Sequence, residues 1–270
     1  MTDARTRAFR AVYMGLLALF LAAPVVVVAG VSLNEGRRLS FPPQGLSGRW
    51  YIELFTDPTW LNALKNSVIV ACGAAVLSVA IALPLAWFLW RYRVRYARGL
   101  FLLGVAPFML PPVITALGFL IFWNTVGLYG QMWATIVSHG IFFVTLPLVN
   151  ISLGLNSLSS EQVEAARTLG ADERTIFRTI ILPTVAPYVL AGLAFVFVLS
   201  LNEYIVAYMV AGFTVETLPI KIFNSLRYGY TPVMAVVAVL FVAVAAVIFG
   251  LTARKGRLLR LLGSARPERR

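Results

Sequence analysis

At 270 residues the chain is long enough for one or two domains, but 60% of it is hydrophobic and only 13% is charged. Soluble domains carry about 25% charged residues, so this chain has too little polar surface for water and belongs in a lipid bilayer. The net charge of +12 does not indicate nucleic acid, because the basic residues stand at the ends of apolar runs and not on one polar face.

Six apolar runs, near 10–32, 64–90, 99–123, 130–153, 185–211 and 232–253, are each long enough to cross roughly 30 Å of hydrocarbon as a helix. The expected fold class is therefore all-α integral membrane, with a transmembrane domain over 10–253 between a cytoplasmic segment 1–9 and a basic tail 254–270. The first run follows Arg5, Arg7 and Arg10, in the charge order of a signal peptide. It is too long for such a peptide's apolar region, and no convincing cleavage site precedes the polar turn Asn34–Arg38, so it reads as a retained signal anchor.

Lys and Arg accumulate on the cytoplasmic side of membrane proteins. With both termini inside, the inner segments hold seventeen of them and the outer segments six. This orientation makes 33–63 an external segment and puts 159–183 in the cytoplasm. Within the external segment Pro42 and Pro43 interrupt regular structure. Trp50, Tyr51, Phe55 and Trp60 follow, and they suit either a helix in the headgroup layer or a surface that receives a soluble partner.

Cys72 in the second run is the only cysteine and His139 in the fourth is the only histidine. An intrachain disulfide and a Cys/His zinc cluster are thereby excluded. Cys72 is expected to pack in a membrane helix, and His139 to pack or hydrogen-bond near one. Small residues such as Ala71 and Ala75 let helices approach closely. In the third run Pro107, Pro111 and Pro112 should kink the helix, either for packing or to bend it beside a solute path. Carbonyls freed by the prolines must then be satisfied by protein or water.

Between the fourth and fifth runs lies the mixed-charge stretch SSEQVEAARTLGADERTIFRTIILP, residues 159–183. Ser159 followed by Gln162 is a capping-box pattern, with Glu161 in the first turn where negative charge suits the helix dipole. The helix should end at Gly170 in a left-handed cap. Asp172 should then cap a second short helix running to Leu182. Val163, Ala166 and Leu169 can form one apolar stripe and Ile176, Phe177, Ile180 and Ile181 another. The remaining face, with Ala165 between Glu164 and Arg167, suits either a packed loop or insertion into a partner's groove.

The fifth run carries Ser200, Asn202, Glu203 and Tyr204. A charge at the centre of a transmembrane helix costs about 2.5–3.5 kcal/mol on insertion scales, so Glu203 must meet a partner, water or a cavity. At 1.5 Å per residue it would lie roughly 24 Å along the helix from Pro187. On an unbroken helix Ser200, Glu203, Tyr204 and Ala207 share one face and Asn202 points elsewhere. That face either lies near the interface, with Glu203 solvated or paired with Lys221 or Arg227, or lines a translocation path.

Glu164-Ala165-Ala166, three residues, Gly170, nine residues, then Ile180-Ile181-Leu182-Pro183 resembles the EAA motif of the permease subunits of binding-protein-dependent ABC importers. The position of this stretch between the fourth and fifth of six spans is also the family's. This resemblance implies a type I importer permease fold in a bacterial inner membrane. It implies that Glu164, Ala165, Ala166 and Gly170 dock a separate cytoplasmic ATPase. It further implies an external binding protein and a second permease subunit, with the two permeases forming a heterodimer.

ATP and Mg would be bound by the partner, since no Lys here has the Gly-x4-Gly-Lys-Ser/Thr context of a phosphate-binding loop; no cofactor is expected in this chain. Within the family, SLNEYIVAYMVAG and LPIKIF are most similar to the spermidine/putrescine permease group. Polyamine permeases often have two adjacent acids where this chain has Asn202-Glu203, which leaves phosphonates, sugars or anions open as cargo. On the polyamine reading Ser200, Glu203 and Tyr204 form the substrate path. An ion-coupled secondary transporter would need coupling residues and an internal repeat, and a membrane enzyme a catalytic constellation; neither is visible.

Overall fold

The computed structural model describes residues 4–92 and 96–254. Arg93, Arg95 and the tail from Lys255 onward lie outside the described residues. In chain order the first helices are α1 (Ala4–Ser32), α2 (Arg49–Thr56), α3 (Pro58–Tyr92), α4 (Ala97–Met109), α5 (Pro112–Thr125), α6 (Met132–Phe142) and α7 (Thr145–Asn156). They are followed by α8 (Ser160–Thr168), α9 (Glu173–Ile176), a π-helical turn (Phe177–Ile181), α10 (Leu182–Asn202), α11 (Ile205–Ala211), α12 (Leu218–Tyr228) and α13 (Val233–Arg254). The chain is an all-α membrane protein. Thr6–Ser32, Pro58–Tyr92, Glu173–Asn202 and Val233–Thr252 are each long and apolar enough to cross a bilayer alone, and two bent helix pairs bring the number of candidate spans to six.

The third run is more than kinked: α4 and α5 meet at 102°. Pro111 and Pro112 remove two successive backbone donors, and the residue before them, Leu110, is extended at ψ 149°. The Pro107 carbonyl, which loses its helical partner because Pro111 has no N–H, accepts a hydrogen bond from Thr115 Oγ1 at 3.3 Å. The fourth run bends by 43° between α6 and α7. Pro147 cannot donate to the Phe143 carbonyl, which takes the Leu146 N–H at 3.1 Å instead.

The fifth run departs most from the expectation. Its helix starts earlier, at Glu173, and passes through the π turn and over Pro183 without stopping. It then breaks at Glu203 and Tyr204 before resuming as α11. The widened turn lies just before Pro183, whose missing N–H leaves a backbone carbonyl of the preceding turn without its helical donor.

Two compact units are distinguished, residues 1–61 with 221–243, and residues 62–220 with 244–270. In the first, the buried Asn34 side chain donates to the carbonyls of Arg38 and Ser40 and accepts from the Gln44 amide. The Trp50 indole donates to the Asn34 carbonyl at 2.6 Å. The expected external helix exists as α2, but Trp50 and Trp60 are buried and only Ile52 and Phe55 remain outside as large apolar groups of α2. A buried indole N–H needs an acceptor, and Asn34 places one there.

In the second unit one apolar cluster joins Ala74 and Ala75 of α3 to Ala116 and Trp123 of α5, Phe142, Val196 of α10 and Val206 and Val210 of α11. Another joins Ala82 and Ala86 of α3, Leu148 and Ile151 of α7, Val163 of α8, Ile176 and Val185. Ala71 and Ala75 are buried as expected, whereas Cys72 lies on the exposed side of α3. The closest approach is between α7 and α10. A Cβ on Gly192 would lie 2.9 Å from the Pro147 Cα, so only glycine lets these backbones meet. Gly192→Val should cost about 1–3 kcal/mol by overpacking, read as a lowered melting temperature of the detergent-solubilised protein with Gly15→Val as the control, since a Cβ at Gly15 meets nothing within 4 Å.

Candidate functional site

Two places draw the candidate residues together: the helical elbow at 159–176 and the break between α10 and α11. At the elbow the Ser159 side chain accepts from the Gln162 amide. Gly170 sits at φ +85°. Its N–H bonds the Arg167 carbonyl at 2.9 Å, and the Ala171 N–H bonds the Ala166 carbonyl at 3.0 Å. This pair of bonds satisfies the last carbonyls of α8 and turns the chain sharply. The Asp172 side chain then accepts from the Thr175 amide at 3.0 Å and starts α9.

Ion pairs link α9 to α8 and to the end of α3. Glu173 lies 2.6 Å from Arg167 and 3.6 Å from Arg91; such exposed pairs are worth little individually. What anchors the elbow is apolar: Val163 and Ile176 are buried in the cluster of α3, α7 and α10. The remaining stripe differs from the expectation, because Leu169 is 87% exposed. It lies beyond the last turn of α8, where the chain has already swung outward. Glu164, Ala165 and Gly170 are exposed and Ala166 is half-buried. The elbow therefore has an anchored inner side and a free outer side that shows a carboxylate, a methyl and a leucine.

The break in the fifth run corrects the expected shared face. Glu203 is extended, with ψ 125°, so Ser200, Glu203, Tyr204 and Ala207 do not continue one helix. Its carboxylate turns onto α11, where Oε1 accepts from the Val206 amide at 2.9 Å and Oε2 from the Ala207 amide at 3.0 Å. These amides belong to the first turn of α11 and have no carbonyl partner in their own helix. The partner of Glu203 is also a correction: its Oε2 is 3.1 Å from His139 Nε2, without the alignment of a full hydrogen bond. His139 Nδ1 is 2.7 Å from Ser200 Oγ.

The side chain of His139 is 1% exposed and that of Glu203 8%, so this contact is sealed from solvent. A carboxylate at such a place must find polar neighbours in the protein to replace water. Tyr204 stacks on Tyr208 with ring centroids 5.3 Å apart. Asn202, unlike Glu203, is exposed, and its amide donates to the Val198 carbonyl at 2.8 Å.

His139 is the functional candidate that pattern reading passed over. The available signal was an imidazole within an apolar run, where a titratable group calls for a partner. Its partners lie more than sixty residues away on another helix, and no periodicity connects them. Around it, α6 supplies further polar contacts: Trp123 Nε1 donates to Ser138 Oγ at 2.8 Å, and Ser78 Oγ to the Gly140 carbonyl at 2.6 Å.

Residues 78–255 match the family of binding-protein-dependent transport system inner membrane components. The spermidine/putrescine transport system permease protein PotC of Haemophilus influenzae is 32% identical over 86% of this chain and 90% of its own length. The putrescine transport system permease protein PotI of Escherichia coli (strain K12) is 30% identical over 85% of this chain and 84% of its own. Among solved structures, a bacterial ABC transporter involved in the import of the acidic polysaccharide alginate superposes with a TM-score of 0.69 at 17% identity, covering 94% of this chain and 98% of that one. The MetNI methionine ABC transporter in an inward-facing conformation superposes at 0.61 and 17% identity, over 78% of this chain and 99% of that one.

The Asp172 carboxyl is held below its ordinary value by hydrogen bonds from the Thr175 side chain and backbone. A depressed folded-state value means that the cap's contribution is present above the ordinary carboxylate range and is lost as the pH falls through the folded value. Asp172→Ala should therefore speed amide exchange at Thr175 severalfold at neutral pH. Wild type and variant should converge as acid protonates the cap, measured by hydrogen-exchange mass spectrometry.

Proposed function

The chain belongs to the binding-protein-dependent transport system inner membrane components, and from that premise we propose that it is the permease subunit of an ABC importer for a polyamine such as spermidine or putrescine. The observation that carries the importer role is the capped elbow, anchored by Val163 and Ile176 inside and presenting Glu164, Ala165 and Leu169 outside. The polyamine cargo is supported by the relatives named for spermidine and putrescine, which this chain matches along most of its length.

On this reading the outer side of the elbow inserts into a cytoplasmic ATPase, with Ala165 and Ala166 allowing close approach and Gly170 setting the turn. ATP and Mg are bound and ATP is hydrolysed by that partner, so this chain is a non-catalytic subunit. An external binding protein delivers cargo to the outer face, and a second permease, a different chain, completes the pathway. Nucleotide changes in the ATPase move the elbow, and the elbow biases a two-state bundle through contacts that differ between the states. The shared apolar cluster joins α8 and α9 to α7 and α10, so motion at the elbow reaches α10 without crossing a flexible link.

Cargo passes beside the α10–α11 break, where Ser200, Glu203 and Tyr204 lie. An ammonium group is drawn there by the negative charge of Glu203, whose oxygens are held by the α11 amides and His139, and is met by aromatic faces, since cations favour the ring quadrupole. A path for an anionic cargo would place cationic side chains at the break, and the acid found there favours the cationic class.

Glu164→Arg and Gly170→Pro should each preserve membrane insertion but reduce ATPase co-purification, or uncouple hydrolysis from uptake, by about tenfold; normal coupled uptake in both would remove the docking role. Glu203→Gln should weaken spermidine uptake in reconstituted vesicles about tenfold and relax preference among polyamines of different charge. Unchanged uptake and cargo range would show that Glu203 does not meet the cargo.

A further inference from the structure

Among the described residues, the pairing of His139 with Glu203 and Ser200 is a titratable contact of the membrane core in which the transport reading gives the histidine no task. It ties the last turn of α6 to the α10–α11 break: Ser200 belongs to the last turn of α10, and Glu203 lies in the break itself. The carboxylate has three neighbours to satisfy, the amides of Val206 and Ala207 and the imidazole. The two amides need only an acceptor. A carboxamide oxygen could fill that role in part, whereas the negative charge needs something more in an apolar interior.

We infer that His139 is a positioning residue for the transport path. It abuts the buried Glu203 carboxylate and holds it in the first turn of α11, and through that contact sets the shape of the break that presents Asn202 and the Tyr204–Tyr208 stack. Ser200 fixes the ring from the other side, because a single imidazole plane contacting two groups has little freedom to turn. His139 touches no cargo in this scheme; it acts through Glu203. The inference rests on the reading that the break borders the path, and the test below separates the two.

The complete assembly of both permeases, ATPase and binding protein is reconstituted in vesicles, and spermidine uptake is measured as KM and maximal rate. His139→Leu should lower the maximal rate about tenfold, because the carboxylate is left buried without its partner. In the Glu203→Gln background the same change should cost no more than about twofold, since the neutral carboxamide still accepts from the α11 amides and leaves no buried charge in want of a polar neighbour. His139→Gln, which keeps a hydrogen-bonding group, should stay within about threefold of wild type.

Equal losses from His139→Leu in the two backgrounds would mean that the ring acts by packing alone and would overturn the inference. So would a tenfold loss in a normally assembled His139→Gln. Should His139→Leu fail to assemble, the same cycle is read on the yield of assembled complex. Recovery by the added Glu203→Gln supports the inference, and failure of both variants overturns it. Non-additivity together with an unchanged cargo range in Glu203→Gln alone would leave His139 as the positioning partner and remove Glu203 from the path. Additive losses with an altered cargo range would do the reverse.

Discussion

A helix that stops inside hydrocarbon leaves amides and carbonyls with no water to meet them, and each such group costs several kcal/mol unless the protein supplies a partner. The core of this membrane protein is arranged around that constraint. At three interruptions of its apolar runs a nearby group repairs the ladder. Thr115 takes up the Pro107 carbonyl beside the α4–α5 corner. The Leu146 amide closes on Phe143 where α6 turns into α7. Glu203 supplies both oxygens to α11. The last repair is the costly one, because its acceptor carries a charge. His139 is the side chain that meets that carboxylate from α6.

The same helix runs between the elbow and the break. α10 begins at the π turn above the elbow and ends at the break. The apolar cluster at its start includes Val163 and Ile176 of the elbow, and the cluster nearer its end includes Val196 together with Val206 and Val210 of α11. Gly192 lets this helix lie directly against α7 at Pro147. Close packing of this kind moves as a body and does not deform gradually. On the proposed coupling, a displacement of the elbow would be delivered to α10 as a whole, and the break would be where the chain changes direction in response. The elbow and the polar contact at the break stand at the two ends of this helix.

Much of this was legible from residues whose role is local. The caps at Ser159 and Asp172 and the left-handed Gly170 follow from side chains that bond their own neighbouring backbone, so sequence distance and spatial distance agree. The apolar runs and the EAA spacing are local in the same sense, and the match over residues 78–255 agrees with them. Leu169 was misread because stripe arithmetic assumes that the helix continues, whereas α8 ends one residue earlier. The expected face of Ser200, Glu203, Tyr204 and Ala207 failed for the same reason: a helical wheel has no place for a break.

The sequence by itself determined that the chain lives in a membrane, that its polar island is a capped elbow, and which importer family it resembles. Composition, local hydrogen bonding and motif spacing do not depend on what packs against them. Only the tertiary structure decided that Glu203 faces inward to His139 and the α11 amides, that Trp50 is buried beneath Asn34, and that the third run turns through 102°. Those outcomes depend on which distant groups are close enough to satisfy a buried charge, an indole N–H or a freed carbonyl, and that proximity exists only once the helices have packed.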